Sequence, residues 1–484
     1  MLSMILAAAL PVLQIGWSQA DITPKEKVFL SGMHKARVSE GVQSPLTTTA
    51  LCFRKGETTV VFVSCDLINI SDDLREAVTK KLNRPDLHLL LHATHNHTAP
   101  RPALKTIDYG VKLEAMSNAD YLEFASGEIV KAIETALKDR KPGSVAFGVD
   151  EAVIGRNRRW VDDKGKATMY GLGRAEQKEV FRHIEGYEDH SVNLLATYDE
   201  SGKLRGVVIN VAMPSQKDQG EFLVSADFWH EARQEIRKRF GNDLFILPQC
   251  ATAGDQAPFY LWGNAAHKRM LELRNRSWRE EIAVRIANAV GRILPVIEPT
   301  RDGDPAFQYQ EIRLELPLIQ VKQADVDEAE STVAKFREEY EKQLAALPPE
   351  AERTGRWYVP LTRAWHKMRY ARTIRRRFEK QGETMPLRLD LLRLGDIAFV
   401  TMPFEVYLDY GIQIKVRSPF IQNFLVQLAG SGGYLSSPRA EAGKGYGSNP
   451  ASNPISSGSG QMMTEAIVKG LRELKPEPEA TPEP

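Results

Sequence analysis

An α/β fold with mixed β-sheets flanked by helices is the prediction from three features of this 484-residue sequence. Short apolar runs typical of strands alternate with segments of helical periodicity, which is the pattern of layered α/β domains. Several neighbouring runs lie too close together for a helical crossover, so some strands must pair antiparallel. Residues 320–382 are instead charged and helical on both sides of Pro348-Pro349, and we expect an inserted helical hairpin there.

The individual elements follow from these periodicities. The predicted strands are Thr47–Arg54, Thr59–Cys65, Leu87–His92, Ser144–Val149, Val192–Tyr198, Gly206–Val211, Leu244–Gln249, Gln308–Leu318, Leu387–Leu394, Ile397–Met402 and Phe424–Leu428. The predicted helices are Asp72–Leu82, Tyr121–Lys138, His230–Phe240, Trp278–Ile293 and Met462–Leu474, with hairpin arms at Ala324–Leu347 and Leu361–Lys380.

The second arm of the hairpin is rich in arginine. It carries Arg369, Arg372, Arg375, Arg376 and Arg377. Such a charge run is most simply a solvated helix face. The functional alternative is a lid, or a dock for acidic groups.

Composition excludes several classes of protein. Lysine plus arginine is 64 against 63 for aspartate plus glutamate, a balance that gives no general attraction to nucleic acid or to anionic membrane. No apolar run reaches the length of an integral membrane segment. The three cysteines Cys52, Cys65 and Cys250 include no Cys-x-x-Cys pair, so a disulfide framework is not expected. The expected partner is a small-molecule substrate, acylated or acidic, and oligomeric state is left open.

The two ends of the chain differ from the rest. We interpret residues 1–13 as an apolar leader, 14–474 as one α/β domain that contains the hairpin, and 475–484 as a disordered tail. Ser18-Gln-Ala20 could serve as a signal-peptide cleavage site, but the first 24 residues contain no lysine or arginine. Export to the periplasm and a cytoplasmic location are therefore equally compatible with the sequence.

The motif that points most directly to chemistry is His92-Ala-Thr-His95-Asn-His97, which follows a short apolar run. In an extended chain, residues two apart face the same side, so His95 and His97 are expected to present their imidazoles to one point. Neutral imidazole is a common zinc ligand. A pair of hydrogen-bonded loop histidines is the plain alternative, but three histidines in six residues favour a site.

Other polar residues also follow apolar runs, where α/β proteins place their sites. They are Asp66, Arg158 with its neighbour Arg159, His230, Cys250, Asp255, Glu405, Tyr434 and Tyr446. Taken singly, most have a structural explanation as turn caps, surface charges or packing residues. Glu405 differs because it lies between apolar runs, where an unpaired charge is costly.

Together, these segments resemble the catalytic N-terminal domain of the neutral, non-lysosomal ceramidases, over about Gln14–Leu474. Ala93–Pro100 is similar to the family's Ala-Thr-His-Thr-His-Ser-Gly-Pro signature, and Gln249–Pro258 is similar to Gln-Ser-Asn-x-Gly-Asp-x-Ser-Pro. The further matching segments are Ala20-Asp-Ile-Thr-Pro24, Val61–Asp66, Gly395-Asp396, Pro403-Phe-Glu405 and the two tyrosines Tyr434 and Tyr446.

This resemblance implies a single zinc ion that activates water to hydrolyse an N-acyl amide. By position, His95, Glu405 and Tyr434 resemble zinc ligands, and His97 resembles the histidine beside the metal water. Arg158, or else Arg159, resembles the arginine that holds the scissile group, and Tyr446 resembles a second site tyrosine. Cys250 falls where the family has a serine proposed to act in catalysis.

The sequence also departs from the family pattern. The family has another zinc-binding histidine after the strand that matches Gly206–Val211, whereas Asn210–Gln216 contains none. His230 is our candidate for the replacement ligand, with His190 as the alternative. The arginine-rich hairpin has no counterpart among the ceramidases, so the resemblance implies a substrate other than ceramide.

Three functional hypotheses follow. The preferred one is a zinc-dependent hydrolase of an amide or related acyl bond, in which His97 or Asp66 orients water or moves its proton. The second is a metal-free hydrolase with Cys250 as the nucleophile. The third is a catalytically degenerate member that binds a ligand without cleaving it.

Overall fold

The structure is a computed structural model that describes residues 12–476. Residues 1–11 of the predicted leader and 477–484 of the predicted tail lie outside this range. The strands are β1 Gln14–Asp21, β2 Gly41–Val42, β3 Thr47–Lys55, β4 Thr58–Cys65, β5 His88–Ala93, β6 Lys141–Glu151, β7 Arg156–Asn157, β8 Arg159–Asp162, β9 Ala167–Met169, β10 Phe181–Ile184, β11 Ser191–Asp199, β12 Leu204–Val211, β13 Leu223–Val224, β14 Phe245–Cys250, β15 Gln256–Ala257, β16 Phe307–Pro317, β17 Thr384–Leu394, β18 Ile397–Thr401, β19 Glu405–Val406, β20 Gln422–Val426 and β21 Tyr434–Leu435. The helices are α1 Asp72–Leu82, α2 Asn118–Lys138, α3 Ala175–Val180, α4 Phe228–Phe240, α5 Asn264–Arg274, α6 Trp278–Ile297, α7 Gln323–Ala345, α8 Tyr358–Glu379, α9 Leu408–Arg417, α10 Pro438–Gly443 and α11 Ser457–Leu474.

The prediction of an α/β fold with mixed sheets is confirmed. An eight-stranded sheet has the order β14-β12-β11-β6-β1-β3-β4-β5, and a four-stranded sheet has the order β16-β17-β18-β20. In the larger sheet the outermost pairs, β12–β14 and β4–β5, are parallel, while the pairs between them are antiparallel. Parallel strands need a crossover connection, and α1 and α4 supply it.

The central strand β1 is the longest strand that the sequence did not predict, and the helices α3, α5, α9 and α10 were also not predicted. It pairs with β3 along its whole length, from Gln14 opposite Arg54 to Asp21 opposite Thr47. Its buried residues, Trp17 among them, belong to the core between the two sheets. Ser18-Gln-Ala20 therefore lies inside a central strand, so cleavage after Ala20 would remove that strand from the sheet.

The helices cover the outer faces of the two sheets and complete four layers. α1 and α2 pack on one half of the large sheet and α4 and α6 on the other, because each presents a buried apolar stripe to the strands. α9 and α11 cover the smaller sheet. Between the sheets lies an aromatic core in which the rings of Phe62 and Phe399 have centroids 4.8 Å apart.

The helical hairpin consists of α7 and α8 and is inserted between β16 and β17. These two strands are paired up to Pro317 opposite Thr384, so the insertion leaves and re-enters the sheet at adjacent positions. Its helices are held to the body of the protein by hydrogen bonds. Tyr340 donates to the carbonyl of Tyr109 (2.7 Å), and Thr362 accepts from the amide of Ala36 (3.1 Å).

No helix within residues 12–476 combines the length and the apolar character needed to span a membrane.

Candidate active site

The two histidines lie in the turn that follows β5 rather than within the strand. β5 ends at Ala93, and the left-handed φ of 63° at His95 turns the chain. The amide side chain of Asn96 fixes this turn, because it accepts from the amide of Thr98 (2.9 Å) and donates to the carbonyl of Ser225 (2.6 Å). As expected from the sequence, the imidazoles of His95 and His97 meet, with their Nε2 atoms 3.3 Å apart.

Glu405 and Tyr434 reach the same point from the other sheet region. The short strands β19 and β21 pair in parallel and place Glu405 directly opposite Tyr434. The Oε2 atom of Glu405 is 3.1 Å from Nε2 of His95, although the two residues are 310 positions apart in the chain. Burial alone would raise the pKa of Glu405, but His95 and Arg158 outweigh burial and lower it. Glu405 is therefore a largely enclosed carboxylate, 17% exposed, that stays charged.

Arg158 is the cation of the site. Its Nη2 donates to the carbonyl of Gly254 (2.7 Å) and to the Tyr434 hydroxyl (3.1 Å), and it lies 3.9 Å from the carboxylate of Glu405. Burial would lower the pKa of Arg158, but Tyr170, Tyr434 and Glu405 outweigh it and raise that pKa. Its Nε has no hydrogen-bond partner among the described residues.

Gln216 and Tyr170 belong to the site but were not among the residues predicted from the sequence. Gln216 donates from Nε2 to Nε2 of His97 (3.2 Å) and accepts at Oε1 from Arg158 (3.2 Å). The Tyr170 hydroxyl donates to Oε1 of Gln216 (3.4 Å) and accepts from Nη1 of Arg158 (2.9 Å). The Gln216 segment lies here because the amide of Ser215 donates to the carbonyl of Thr94 (3.1 Å). Only the departure at Asn210–Gln216 marked this segment in the sequence.

His97 is held tightly on its other side. The buried guanidinium of Arg37 donates to the backbone oxygens of His97 and Ser31. Gly32, with φ +94°, lies against the imidazole, and a Cβ built there would be 2.4 Å from Cγ of His97. Burial, followed by repulsion from His95, holds the pKa of His97 well below its usual value, so this imidazole is neutral at pH 7.

His95, His97, Glu405 and Tyr434 line a cavity of about 290 Å³. We use "floor" for these four side chains together with Arg158, which lies behind them against Glu405 and Tyr434. Tyr446 also lines the cavity, with its ring centroid 5.7 Å from that of Tyr434. The hairpin covers the cavity and contributes His366 and Arg369 of α8 to its wall.

The structure places three other predicted site residues away from the floor. Asp66 is fully buried and binds Arg233 through both oxygens (2.8 and 3.0 Å), so it braces β4 and does not face the cavity. Cys250 is buried with its thiol against Gln427 (3.2 Å), and burial raises its pKa to about 12. Arg159 binds Glu185 and the carbonyls of Lys444 and Tyr446, which leaves Arg158 as the arginine at the floor.

Neither histidine that we selected as a replacement ligand lines the cavity. His230 lies in the first turn of α4, where burial and Arg233 lower its pKa. His190 pairs with Glu188 at 3.2 Å, at the start of β11. In the described part of the chain, no group of three or more His, Cys, Asp or Glu side chains has the spacing of a metal site. The structure thus does not bring His230 to His95 and Glu405.

The hydrogen bonding of His95 tests whether zinc fits this site. The Nδ1–H of His95 donates to the carbonyl of Ile68 (2.9 Å), and Nε2 of the same ring faces Glu405. An Nδ1 hydrogen bond to a backbone carbonyl is the usual support of a metal-bound histidine. Nε2 of His95 and Oε2 of Glu405 are 3.1 Å apart, a spacing that a proton or a metal ion can bridge. His95, Glu405 and the hydroxyl of Tyr434 therefore fit three ligand positions of a zinc ion. Among the described residues, no further histidine or carboxylate joins them to make a larger metal-ligating group.

The chain is similar to a known sequence family and to solved structures. Residues 13–160 match the sequence family described as neutral/alkaline non-lysosomal ceramidase, N-terminal. Two solved structures have the same fold: a ceramidase complexed with C2, and the neutral ceramidase from Pseudomonas aeruginosa. For each the TM-score is 0.64 and the identity 16%, and 98% of this chain is covered, against 77% and 76% of the respective solved chains. No curated protein sequence matches the chain.

The sequence match includes the histidine turn of the floor, and the fold match extends over the segments that supply Arg158, Glu405 and Tyr434. The matched family is one of ceramidases, which are hydrolases that act on amide bonds. The chain is thus similar by sequence to the neutral/alkaline non-lysosomal ceramidase family over residues 13–160, and it shares the fold of two solved ceramidases over nearly its whole length.

Proposed function

We propose that the protein is a zinc-dependent hydrolase that cleaves the amide bond of a small N-acylated substrate other than ceramide. The observation that carries this proposal is the convergence of His95, Glu405 and Tyr434 at one buried point, with Arg158 beside them. His95, Glu405 and Tyr434 would hold the zinc ion. Zinc in such a site supplies Lewis-acid chemistry, which makes water more acidic and polarises a carbonyl oxygen.

The remaining steps fall to the side chains around this point. His97 is neutral, because burial and His95 hold its pKa low, and its imidazole is the nearest base that could accept the proton that the attacking water loses. Arg158 keeps its positive charge and can stabilise negative charge on the former carbonyl oxygen. Burial and the nearby Glu405 raise the pKa of Tyr434, so that its hydroxyl is protonated unless a cation binds there.

Metal content and turnover of one variant test the proposal together. We expect stoichiometric zinc by elemental analysis of the purified protein, and hydrolysis of N-acyl amides that a chelator abolishes and zinc restores. His95→Ala should lower turnover by at least about 100-fold, because even the partners of metal ligands contribute about 10–100-fold. His183→Ala is the control, as His183 is exposed in β10, away from the cavity. Activity that is insensitive to chelator and retained in His95→Ala would refute the proposal.

A second function, ligand binding without cleavage, is favoured by one contact. The Nε2 amide of Gln216 donates to the Nε2 lone pair of His97, which is the atom that would accept the proton from water. A histidine whose lone pair is taken up in this way is a weaker base. Substrate binding with no detectable hydrolysis, in protein that contains full zinc, would support this reading.

A further inference from the structure

The mouth of the active-site cavity is lined by three cations that come from separate segments. They are Lys35 in the loop before β2, Arg101 after the histidine turn, and Arg369 in α8 of the hairpin. We call these three residues the cationic rim. Arg101 and Arg369 are exposed and Lys35 is partly exposed, so their charged ends can be reached from solvent.

None of the three has a carboxylate within 4.0 Å among residues 12–476, whereas Arg356 and Arg375 on the same hairpin do form ion pairs. Glu405 is the one acidic residue that lines the cavity, and it is engaged by His95 and Arg158. The positive charge of the rim is therefore not neutralised by the described chain.

The charges also lie close enough to act on one another. Burial, and after it the repulsion from Arg101, lowers the pKa of Arg369. Burial, and after it repulsion from Arg363, Arg37 and Arg356, lowers the pKa of Lys35. Glu221 partly opposes this shift. Clustered cations at the entrance of a cleft focus a positive potential that attracts anions.

The rest of the cavity lining is mixed. Phe29, Leu30, Met33, Ile68 and Ile107 give it an apolar portion beside polar residues such as Asn69 and Asn118. The cavity volume of about 290 Å³ is at the lower end of small-molecule sites, so the space suits a compact molecule with a modest apolar portion.

From these observations, and resting on the proposed function, we propose that the substrate is an N-acylated molecule that carries an anionic group, held at the rim by Arg101, Arg369 and Lys35 while its amide reaches the floor. Carboxylate, sulfate and phosphate share the required chemistry, and the planar guanidinium of arginine suits all three. An N-acyl amino acid is the simplest molecule of this kind.

The matched substrates N-octanoylglycine and N-octanoylglycinamide test the inference, because they share the octanoyl amide and differ only at the far end. That end is a carboxylate in the first and a neutral carboxamide in the second, and release of octanoate is measured for both. We expect wild-type enzyme to favour the acid in kcat/KM by about tenfold or more, a preference typical of one or two charge-assisted hydrogen bonds. The double variant Arg101→Gln/Arg369→Gln should lose that preference through a higher KM for the acid. Raising the salt concentration should weaken the preference in wild-type enzyme, since exposed charges are screened.

Arg372→Gln is the matched control. Arg372 lies one turn further along α8, is exposed, and lines the groove between α7 and α8 instead of the cavity. This variant should keep both the preference for the acid and its KM. Circular dichroism establishes that all variants are folded.

Calorimetric binding of octanesulfonate separates this inference from the proposed function, as it requires no hydrolysis. Binding that the double variant weakens by about tenfold, while Arg372→Gln leaves it unchanged, supports the cationic rim even if no amide is cleaved. Failure of hydrolysis alone would overturn only the proposed function. Equal kcat/KM for acid and amide, or sulfonate binding that survives the double substitution, would overturn the inference.

Discussion

The side chains at the cavity floor are largely buried and interlocked, whereas Arg369, which the hairpin brings to the mouth, is exposed and has no ion-pair partner among the described residues. His95 is 3% exposed and Arg158 is 3% exposed, and every floor residue contacts at least one other. Arg369, by contrast, is exposed on a helix whose buried residues are few. The floor thus has a fixed geometry suited to chemistry, and the hairpin offers a surface suited to selecting the substrate.

The largest effect is expected from a substitution that displaces a floor side chain without removing any polar group. Gly32→Ala places a methyl group against the His97 ring and strains a backbone at φ +94°. We expect turnover to fall by about 100-fold, as displacement by about 1 Å can cost that much. Single-turnover kinetics would measure the chemical step directly.

Gly165→Ala is the control for backbone strain, since Gly165 has φ +74° but no atom within 4 Å of the added Cβ. It should lose stability and keep its turnover. Equal turnover in Gly32→Ala and wild type would mean that the position of His97 is not critical.

A smaller effect is expected where the hairpin is attached. Tyr370 of α8 donates to Asn449 (2.8 Å) and shares a hydrogen bond with Ser452 (2.6 Å). Tyr370→Phe should destabilise the protein by about 1 kcal/mol and raise KM a few-fold with kcat unchanged, because it loosens only the cover. Denaturant unfolding and steady-state kinetics measure the two effects.

Tyr121→Phe provides the comparison variant. Its hydroxyl donates to the carbonyl of Ile22 (2.8 Å) in the core, far from the hairpin. A similar loss of stability with unchanged KM is expected. If both variants raise KM equally, the hairpin has no special part in substrate binding.

The smallest effect is expected at Cys250. Burial raises the pKa of this thiol to about 12, and the residue does not line the cavity. Cys250→Ser should leave kcat within about twofold of wild type, since a thiol that stays protonated is not a nucleophile. Loss of turnover in a folded Cys250→Ser protein would revive the metal-free hypothesis.

The fold was largely predictable because its strands are short, apolar and bounded by turns. β1 was the main exception among the strands, since an apolar stretch near the start of a chain has the same composition as a leader. Its partners in β3 are also 26 to 40 residues away, from Asp21 opposite Thr47 to Gln14 opposite Arg54. Tertiary pairing, which local pattern does not record, decides such a segment.

The floor was predictable in part, for a related reason. His95 and Glu405 each follow an apolar run that predicts a strand, and they lie in motifs that occur in the same order as in the ceramidases. Gln216 and Arg369 did not, because the path of a loop or of an inserted helix brings them to the cavity, and no spacing in the sequence encodes that path. The arginine run was most simply a solvated face, and most of it is, with Arg369 as the member that lines the cavity.

The pairing of Pro317 with Thr384 has a consequence for how specificity can change. Paired residues on neighbouring antiparallel strands have Cα atoms about 4.5–5.5 Å apart, a gap that a tight turn can close. Because the helical hairpin leaves and re-enters the sheet at that one gap, it can be gained, lost or replaced in evolution without changing the strands that carry the floor. A variant that joins the two strands directly is a natural starting point for engineering an enzyme that accepts bulkier or uncharged amides.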